Sequence, residues 1–151
     1  MRRIAHIGSL VKQIYRLYSL ELLRDLENHG FSDLRPSFLE ILIYLCDHET
    51  PSIKMIGKSC GLKKQTMTSH LNELEKRGYL RREHSTADKR EQLVRLTDFG
   101  IKFKVIMLQS IQDLENFYAK KIGQVELDRV EHMLEKFFET LKSQKNKGSL
   151  I

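Results

Sequence analysis

The stretch IGKSCGLKKQTMTSHLNELEKRGYL, residues 56–80, predicts two short helices that are joined by a tight turn. Gly61 interrupts the pattern after the first helix, and Gly78 ends the second helix, which we place at residues 64–77. Two helices connected by so short a glycine-containing turn form a helix–turn–helix. In such a motif the second helix is the one whose shape suits a groove of double-stranded DNA.

The two faces of this second helix differ in chemistry. Met67, Leu71 and Leu74 share one face and are expected to pack into a core. The opposite face is polar and has no carboxylate at its centre. Asparagine and glutamine can make two hydrogen bonds to adenine, and serine and threonine can bond phosphates or base edges. The candidate DNA contacts on this helix are Lys63, Lys64, Gln65, Thr68, Ser69, Asn72 and Lys76.

The positive charge of the chain is concentrated around this motif. The net charge is +6, from 26 lysines and arginines against 20 acidic residues. Residues 54–104 contain 13 of the basic residues and only 6 of the acidic ones, so the remainder is nearly neutral. Lys63 and Lys64 even lie at a helix N-terminus, where the helix dipole disfavours positive charge. This distribution favours a polyanionic partner, and the alternative is a basic face that contacts only solvent.

Two strand-like runs follow the motif, LRREH at residues 80–84 and QLVRL at residues 92–96, joined by the loop STADKRE at residues 85–91. The loop contains none of the glycine, proline or asparagine residues that are usual at a hairpin tip. A basic loop beside a recognition helix can reach a minor groove, which favours the weakly hydrated guanidinium of arginine. The candidate contacts on this wing are Arg82, Asp88, Lys89 and Arg90.

Long amphipathic segments flank the motif. Apolar residues recur every three to four positions over residues 3–28 and 124–145, and further helices are predicted at 36–47, 53–60 and 98–121. Stripes of this length favour burial against a second copy of the chain, with an intramolecular bundle as the alternative. The predicted fold is mainly α with a wing of two to three β-strands. It consists of a winged helix–turn–helix lobe at residues 36–97 and dimerisation helices at residues 1–35 and 98–151, intertwined in one domain.

The wing carries the pattern D-x-R-x-x-x-V-x-L-T at residues 88–97, and it follows the helix end LEKRG at residues 74–78. Together these motifs resemble the MarR family of bacterial transcriptional regulators, and the resemblance covers essentially the whole chain. It implies a homodimer that binds a pseudo-palindromic operator, often as a repressor released by a small aromatic or phenolic ligand. It also implies that Arg90 enters the minor groove and that Asp88 holds it in place. Lys63, Arg35, Ser69 and His70 depart from the common pattern.

A ligand of this kind could bind between the first helices and the DNA-binding lobe. The candidate residues for such a pocket are Tyr15, Tyr18, Phe38, Tyr44 and His48. Aromatic residues at helical spacing are more often part of a core, which is the alternative for this group.

Other functions find less support in the sequence. Cys46 and Cys60 leave open a redox-responsive regulator, although buried and inert thiols are favoured. A winged-helix module that docks on protein or RNA is a further alternative. No phosphate loop, nucleophile motif or metal-ligand spacing occurs, so we expect no enzyme, metal or cofactor. No apolar run approaches the length of a membrane span, and few cysteines occur, so a cytoplasmic protein is expected.

Overall fold

The computed structural model describes residues 2–147. Within that part of the chain it contains six helices and two strands, so the predicted mainly α fold with a small β wing is confirmed. In chain order the elements are α1 (Arg3–Asn28), α2 (Pro36–Asp47), α3 (Ile53–Cys60), α4 (Lys64–Lys76), β1 (Leu80–His84), β2 (Gln92–Leu96), α5 (Asp98–Ile122) and α6 (Gln124–Asn146).

The helix ends follow local chemistry. The Ser52 hydroxyl caps α3 by accepting a hydrogen bond from the Met55 amide at 3.1 Å, and Pro36 occupies the first turn of α2. Gly61 and Gly78 follow α3 and α4 with φ angles of +64° and +86°, a left-handed conformation that suits glycine. Helix α4 ends at residue 76, one residue before the predicted end, because the next residue serves as its C-cap.

The wing is an antiparallel hairpin in which Leu80 pairs with Leu96 and His84 with Gln92. A third segment touches it without forming a strand. The Val94 amide donates to the Pro51 carbonyl at 2.9 Å, and a single bridge links the neighbouring residues of the two segments. The expectation of two to three strands is therefore met by two strands and one bridge, which attach the wing to the start of α3.

The chain forms two compact units, one up to Ile111 and one from Gln112 onward. The core of the first unit joins α1, α2, the helix–turn–helix and the hairpin to the first half of α5. The predicted core face of α4 is confirmed, because all three of its apolar residues are buried. Burying a large apolar side chain contributes about 1.5–3 kcal/mol, so this face anchors α4 firmly. The core includes Leu22, Leu26, Phe38, Ile41, Leu42, Ile56, Met67, Leu71, Leu74, Tyr79, Leu80, Val94, Phe103 and Met107.

Helix α6 lies in the second unit and differs from the others, because none of its residues is buried. Over residues 2–147, every helix is too polar or too short to cross a membrane.

Candidate nucleic-acid interface

The polar face of α4 is open to solvent. A shallow depression runs along it, lined by Lys64, Gln65, Thr68, Ser69, Asn72 and Glu73. Glu73 lines the edge of this face, and its carboxylate lies 3.4 Å from the Arg77 guanidinium, which offsets its charge. Lys63 and Lys76 are exposed at the two ends of the face. Five of the seven residues expected from the sequence thus line one depression, and the other two are exposed beside it.

The N-terminus of α4 keeps the electrostatic conflict seen in the sequence. Lys63 is the N-cap residue, its side chain makes no capping hydrogen bond, and the first turn contains no acidic residue. The amide groups at this end carry a partial positive charge, and Lys64 adds to it. An anion placed here would stabilise all of these groups at once.

The wing tip is ordered by side chains instead of by glycine. The buried Ser85 hydroxyl accepts hydrogen bonds from the Ala87 and Asp88 amides, both at 3.2 Å. The Asp88 carboxylate accepts a hydrogen bond from the Arg90 amide at 3.0 Å. These short-range turns of Ser and Asp explain how a loop without glycine can close. The sequence analysis did not single out Ser85. A serine whose hydroxyl can accept hydrogen bonds from the amides two and three residues later is nevertheless a recognisable turn signal.

Arg90 projects from this ordered tip. Its side chain is 96% exposed, and its Nε lies 3.8 Å from an Asp88 oxygen. Asp88 therefore holds the backbone of Arg90 by a hydrogen bond, and the guanidinium only by a longer ionic contact. Lys89 beside it is also exposed. The loop fixes the backbone from which the arginine projects, while it leaves the guanidinium accessible.

Arg82 differs from the other candidate contacts of the wing, because it is paired within the chain. Its guanidinium contacts the Glu75 carboxylate through Nη2 at 2.6 Å and Nε at 3.1 Å, and its amide donates to the same carboxylate at 3.1 Å. The Arg82 side chain is only 21% exposed. Because all of these groups are engaged, Arg82 joins the wing to α4 and is not free to bind a phosphate.

This contact gives a pH-dependent prediction. Hydrogen bonds from Arg82 hold the pKa of Glu75 below its ordinary value of 4.5. A carboxyl group with a lowered folded-state pKa stabilises the fold above its ordinary pKa, and this contribution is lost as the pH falls through the folded value. We therefore expect Glu75→Gln to destabilise the protein by about 1 kcal/mol at pH 7, because partial exposure screens the pair. The difference from wild type should shrink below about pH 4.5.

Urea unfolding at neutral and acidic pH measures this effect. Glu139→Gln is the matched control, since Glu139 is well exposed and pairs with Lys142 at 3.4 Å on the surface of α6. The control should change stability little at either pH. A Glu75→Gln variant whose loss of stability was the same at both pH values would contradict this role of the Glu75–Arg82 contact.

The five residues predicted to line one ligand pocket lie in separate places. Phe38 is fully buried in the core, with the Arg35 guanidinium 4.6 Å from its ring centroid and the His70 ring at 5.0 Å. Phe38 therefore packs as a core residue, which is the alternative that the sequence left open for this group. Tyr44 stacks on His48 at 3.9 Å near the end of α2. Among residues 2–147, no ring contact joins this pair to the tyrosines of α1.

The two tyrosines of α1 do lie together. Tyr15 and Tyr18 make an edge-to-face contact with centroids 5.8 Å apart. Burial, a hydrogen bond to the Glu40 carboxylate and the charge of Glu40 raise the pKa of Tyr15 to about 12. Tyr15 of α1 and Glu40 of α2 therefore lie close enough for the carboxylate to act on the hydroxyl. Glu40 was not singled out in the sequence, since no local pattern marks its partner.

Both cysteines are half-buried. Burial raises the pKa of the Cys46 thiol to about 11, and burial together with the Glu40 charge raises that of Cys60 to about 11. The reactive form of cysteine is the thiolate, so these thiols are poor nucleophiles at neutral pH. This geometry favours the inert reading over a redox switch. In the described part of the chain, no three histidine, cysteine or acidic residues cluster as metal ligands would.

Comparisons with known proteins agree with this geometry. The sequence profile of the MarR family matches residues 32–91. The HTH-type transcriptional regulator SarZ of Staphylococcus haemolyticus (strain JCSC1435) is 31% identical over 102 residues, which cover 68% of each chain. The chain belongs to the MarR family. The resemblance inferred from the wing motif is thereby confirmed, and the MarR family is a group of transcriptional regulators, not a class of enzymes.

Two further similarities concern a second relative, matched over a shorter segment, and the fold. The organic hydroperoxide resistance transcriptional regulator of Bacillus subtilis (strain 168) is 35% identical over 69 residues, so the matched segment spans about half the length of each chain, 46%. The structure of reduced AbfR bound to DNA has a TM-score of 0.71 at 23% identity, covering 93% of this chain and 94% of that one. This structural similarity shows that the MarR-family fold extends over nearly the whole chain.

Proposed function

We propose that this member of the MarR family binds double-stranded DNA in a sequence-specific manner and regulates transcription in the bacterial cytoplasm. One observation carries the proposal: the polar face of α4 and the exposed Arg90 of the wing belong to the same compact unit. The Glu75–Arg82 contact holds the wing against α4. The distance between the two DNA-reading elements is thus set by the fold, as a binding module with two contact points requires.

The proposed contacts divide into two kinds. Gln65 and Asn72 carry the amide groups that can read adenine in the major groove. The Thr68 hydroxyl already donates its hydrogen to the Lys64 carbonyl at 3.0 Å, so it can only accept a hydrogen bond from DNA. The exposed cations are assigned to phosphates, which supply affinity without sequence information. They are Lys63, Lys64, Lys76 and Lys89, while Arg90 is assigned to the minor groove.

We further propose that the functional unit is a homodimer. Ile14 and Leu17 on α1, and Val125 and Phe138 on α6, are all more than half exposed. Apolar residues at helical spacing that remain exposed in a single chain mark an association surface. The proposed division is therefore dimerisation helices at residues 1–35 and 98–151 around a DNA-binding lobe at residues 36–97. Part of the second range, residues 148–151, lies outside the described residues.

We propose an effector site with fewer residues than the five that the sequence suggested. Tyr15 and Tyr18 remain candidates for contact with a small aromatic ligand, because Tyr18 is exposed and both lie on a proposed dimerisation helix. A ligand bound there would act by changing the separation of the two DNA-binding lobes. Repression released by such a ligand is the output that we propose.

Selection of bound DNA from a random pool tests the function. We expect an inverted repeat whose half-sites lie about 10 base pairs, or roughly 34 Å, apart, as a two-fold dimer requires. The logarithm of affinity should fall with the logarithm of salt concentration by about 0.9 per phosphate contacted. Light scattering should give the mass of a dimer. A pool without enrichment and a flat salt response would instead favour a module that docks on protein, and enrichment from RNA alone would favour RNA.

A further inference from the structure

A cleft of about 1100 Å³ separates the helix–turn–helix from the wing. Lys54 and Lys58 of α3 line it on one side, and the wing tip lines it on the other. Five cations and two carboxylates reach into this space. The charged residues are Lys54, Lys58, Lys63, Lys64, Arg90, Asp88 and Glu91.

The positive charges of this cleft are only partly balanced by the carboxylates of the described residues. Among residues 2–147, none of the four lysines has a carboxylate within ion-pair distance. Asp88 is occupied by the amide and the guanidinium of Arg90. The four lysines lie together on the helix–turn–helix side of the cleft and repel one another, and Asp88 and Glu91 on the wing side offset only part of their charge. A polyanion lying in the cleft would remove the repulsion.

The geometry of DNA indicates which polyanion this is. Under the proposed function, α4 enters a major groove and Arg90 enters the adjacent minor groove. Two adjacent grooves of a double helix are separated by one sugar–phosphate strand, so that strand must pass between α4 and the wing. The cleft occupies this position, and its α3 wall faces the strand.

We propose that Lys54 and Lys58 clamp the phosphate strand that separates the two grooves. This inference rests on the proposed function and adds two residues of α3 to it. The lysines are four residues apart and therefore share one face of the helix. Helix α3 is held in place by the fully buried Ile56 and by the Ser52 cap, so the lysines extend from a rigid support. They supply affinity and register, whereas α4 and the wing tip supply sequence recognition.

The double substitution Lys54→Gln and Lys58→Gln tests the clamp. Both side chains are exposed, so folding should be unaffected. The salt slope of binding to the selected operator should become shallower by about 0.9 for each lost contact, in every bound subunit. Affinity for the operator and for scrambled DNA should fall by the same factor. Replacing both lysines with arginine should retain the wild-type slope, because the charge is kept.

The matched control removes two exposed lysines elsewhere, through Lys12→Gln and Lys102→Gln on α1 and α5. It lowers the net charge equally and should leave the slope near that of wild type. If the clamp variant showed the same slope as this control, the inference would be overturned. Wild-type protein that selected no DNA would instead overturn the proposed function, and the clamp with it.

A neutral phosphate analogue locates the contact. Methylphosphonates placed in the strand between the major-groove half-site and the flanking minor groove should weaken binding of wild-type protein. The same replacement should have little further effect on the clamp variant, because the partner lysines are already absent. Independent, multiplicative effects of the two changes would show that Lys54 and Lys58 do not contact that strand.

Discussion

Arg90→Ala is expected to weaken operator binding by about 1–3 kcal/mol, or roughly 5- to 150-fold, without affecting folding. The side chain is almost fully exposed, and its one ion pair within residues 2–147 is with Asp88 of the same loop, so the fold does not depend on it. A guanidinium in a narrow minor groove loses little hydration and meets a strongly negative potential. The ordered tip also holds the Arg90 backbone in advance, which lowers the entropy lost when the side chain binds.

Lys89→Ala is the matched control for this prediction. It removes one exposed positive charge from the adjacent position of the same loop. A contact with phosphate alone should give a smaller loss that is equal for operator and scrambled DNA. Titration of labelled operator at fixed salt measures both variants, and circular dichroism confirms their fold. Undiminished operator binding by Arg90→Ala would contradict the assignment of the wing to a minor groove.

Gly100→Ala is expected to cost about 3 kcal/mol of folding stability, a large effect for one methyl group. A Cβ atom at this position would lie 2.0 Å from the Tyr79 carbonyl oxygen and 3.2 Å from Cδ2 of Leu96. The nearest atom belongs to the backbone, so it cannot turn away as a flexible side chain could. The first turn of α5 would have to separate from the start of the hairpin.

The substitution would also disturb the hydrogen bonds of Thr97, which connect the end of β2, the end of α4 and the start of α5. The Thr97 hydroxyl donates to the Gly78 carbonyl and accepts a hydrogen bond from the Gly100 amide at 3.0 Å. Thr97 therefore caps α5 while binding it to the end of α4. Moving α5 by the distance that a methyl group needs would strain or break these bonds.

Chemical denaturation compares Gly100→Ala with Gly8→Ala, the matched control. Gly8 lies within α1, and a Cβ atom there would meet nothing within 4 Å. Alanine is the better helix former by about 0.5–1 kcal/mol, so this control should be neutral or stabilising. Equal stability of the two variants would show that α5 tolerates displacement from Tyr79.

Local sequence patterns were sufficient to predict the bounds of the helices and strands. Both strands were predicted with their observed bounds, and each helix was predicted to within one residue at either end. The reason is that periodicity, capping residues and glycine positions act over three to four neighbours, and the chain uses them consistently. The core face of α4 and its polar face also follow from spacing along a single helix.

The roles of individual charged and aromatic residues were less accessible from the sequence. Arg82 looked like any other basic residue of the wing, but its partner Glu75 lies on a different element. Phe38 looked like a pocket residue, but it is enclosed by residues from α4 and the loop before α2. The Arg82–Glu75 and Phe38–His70 contacts each join residues of two different elements, which spacing along one element does not show.

The sequence by itself therefore determined the winged helix–turn–helix, the polar face of α4, the exposed tip arginine and the MarR-family membership. These features depend on short-range spacing and on motifs that can be read along the chain. Only the tertiary structure decided that Arg82 is a structural link, that Gly100 must lack a side chain, and that Lys54 and Lys58 face the wing across a cleft. The physical reason is that pairing, steric exclusion and shared electrostatic potential depend on distances in space, which a linear pattern does not contain.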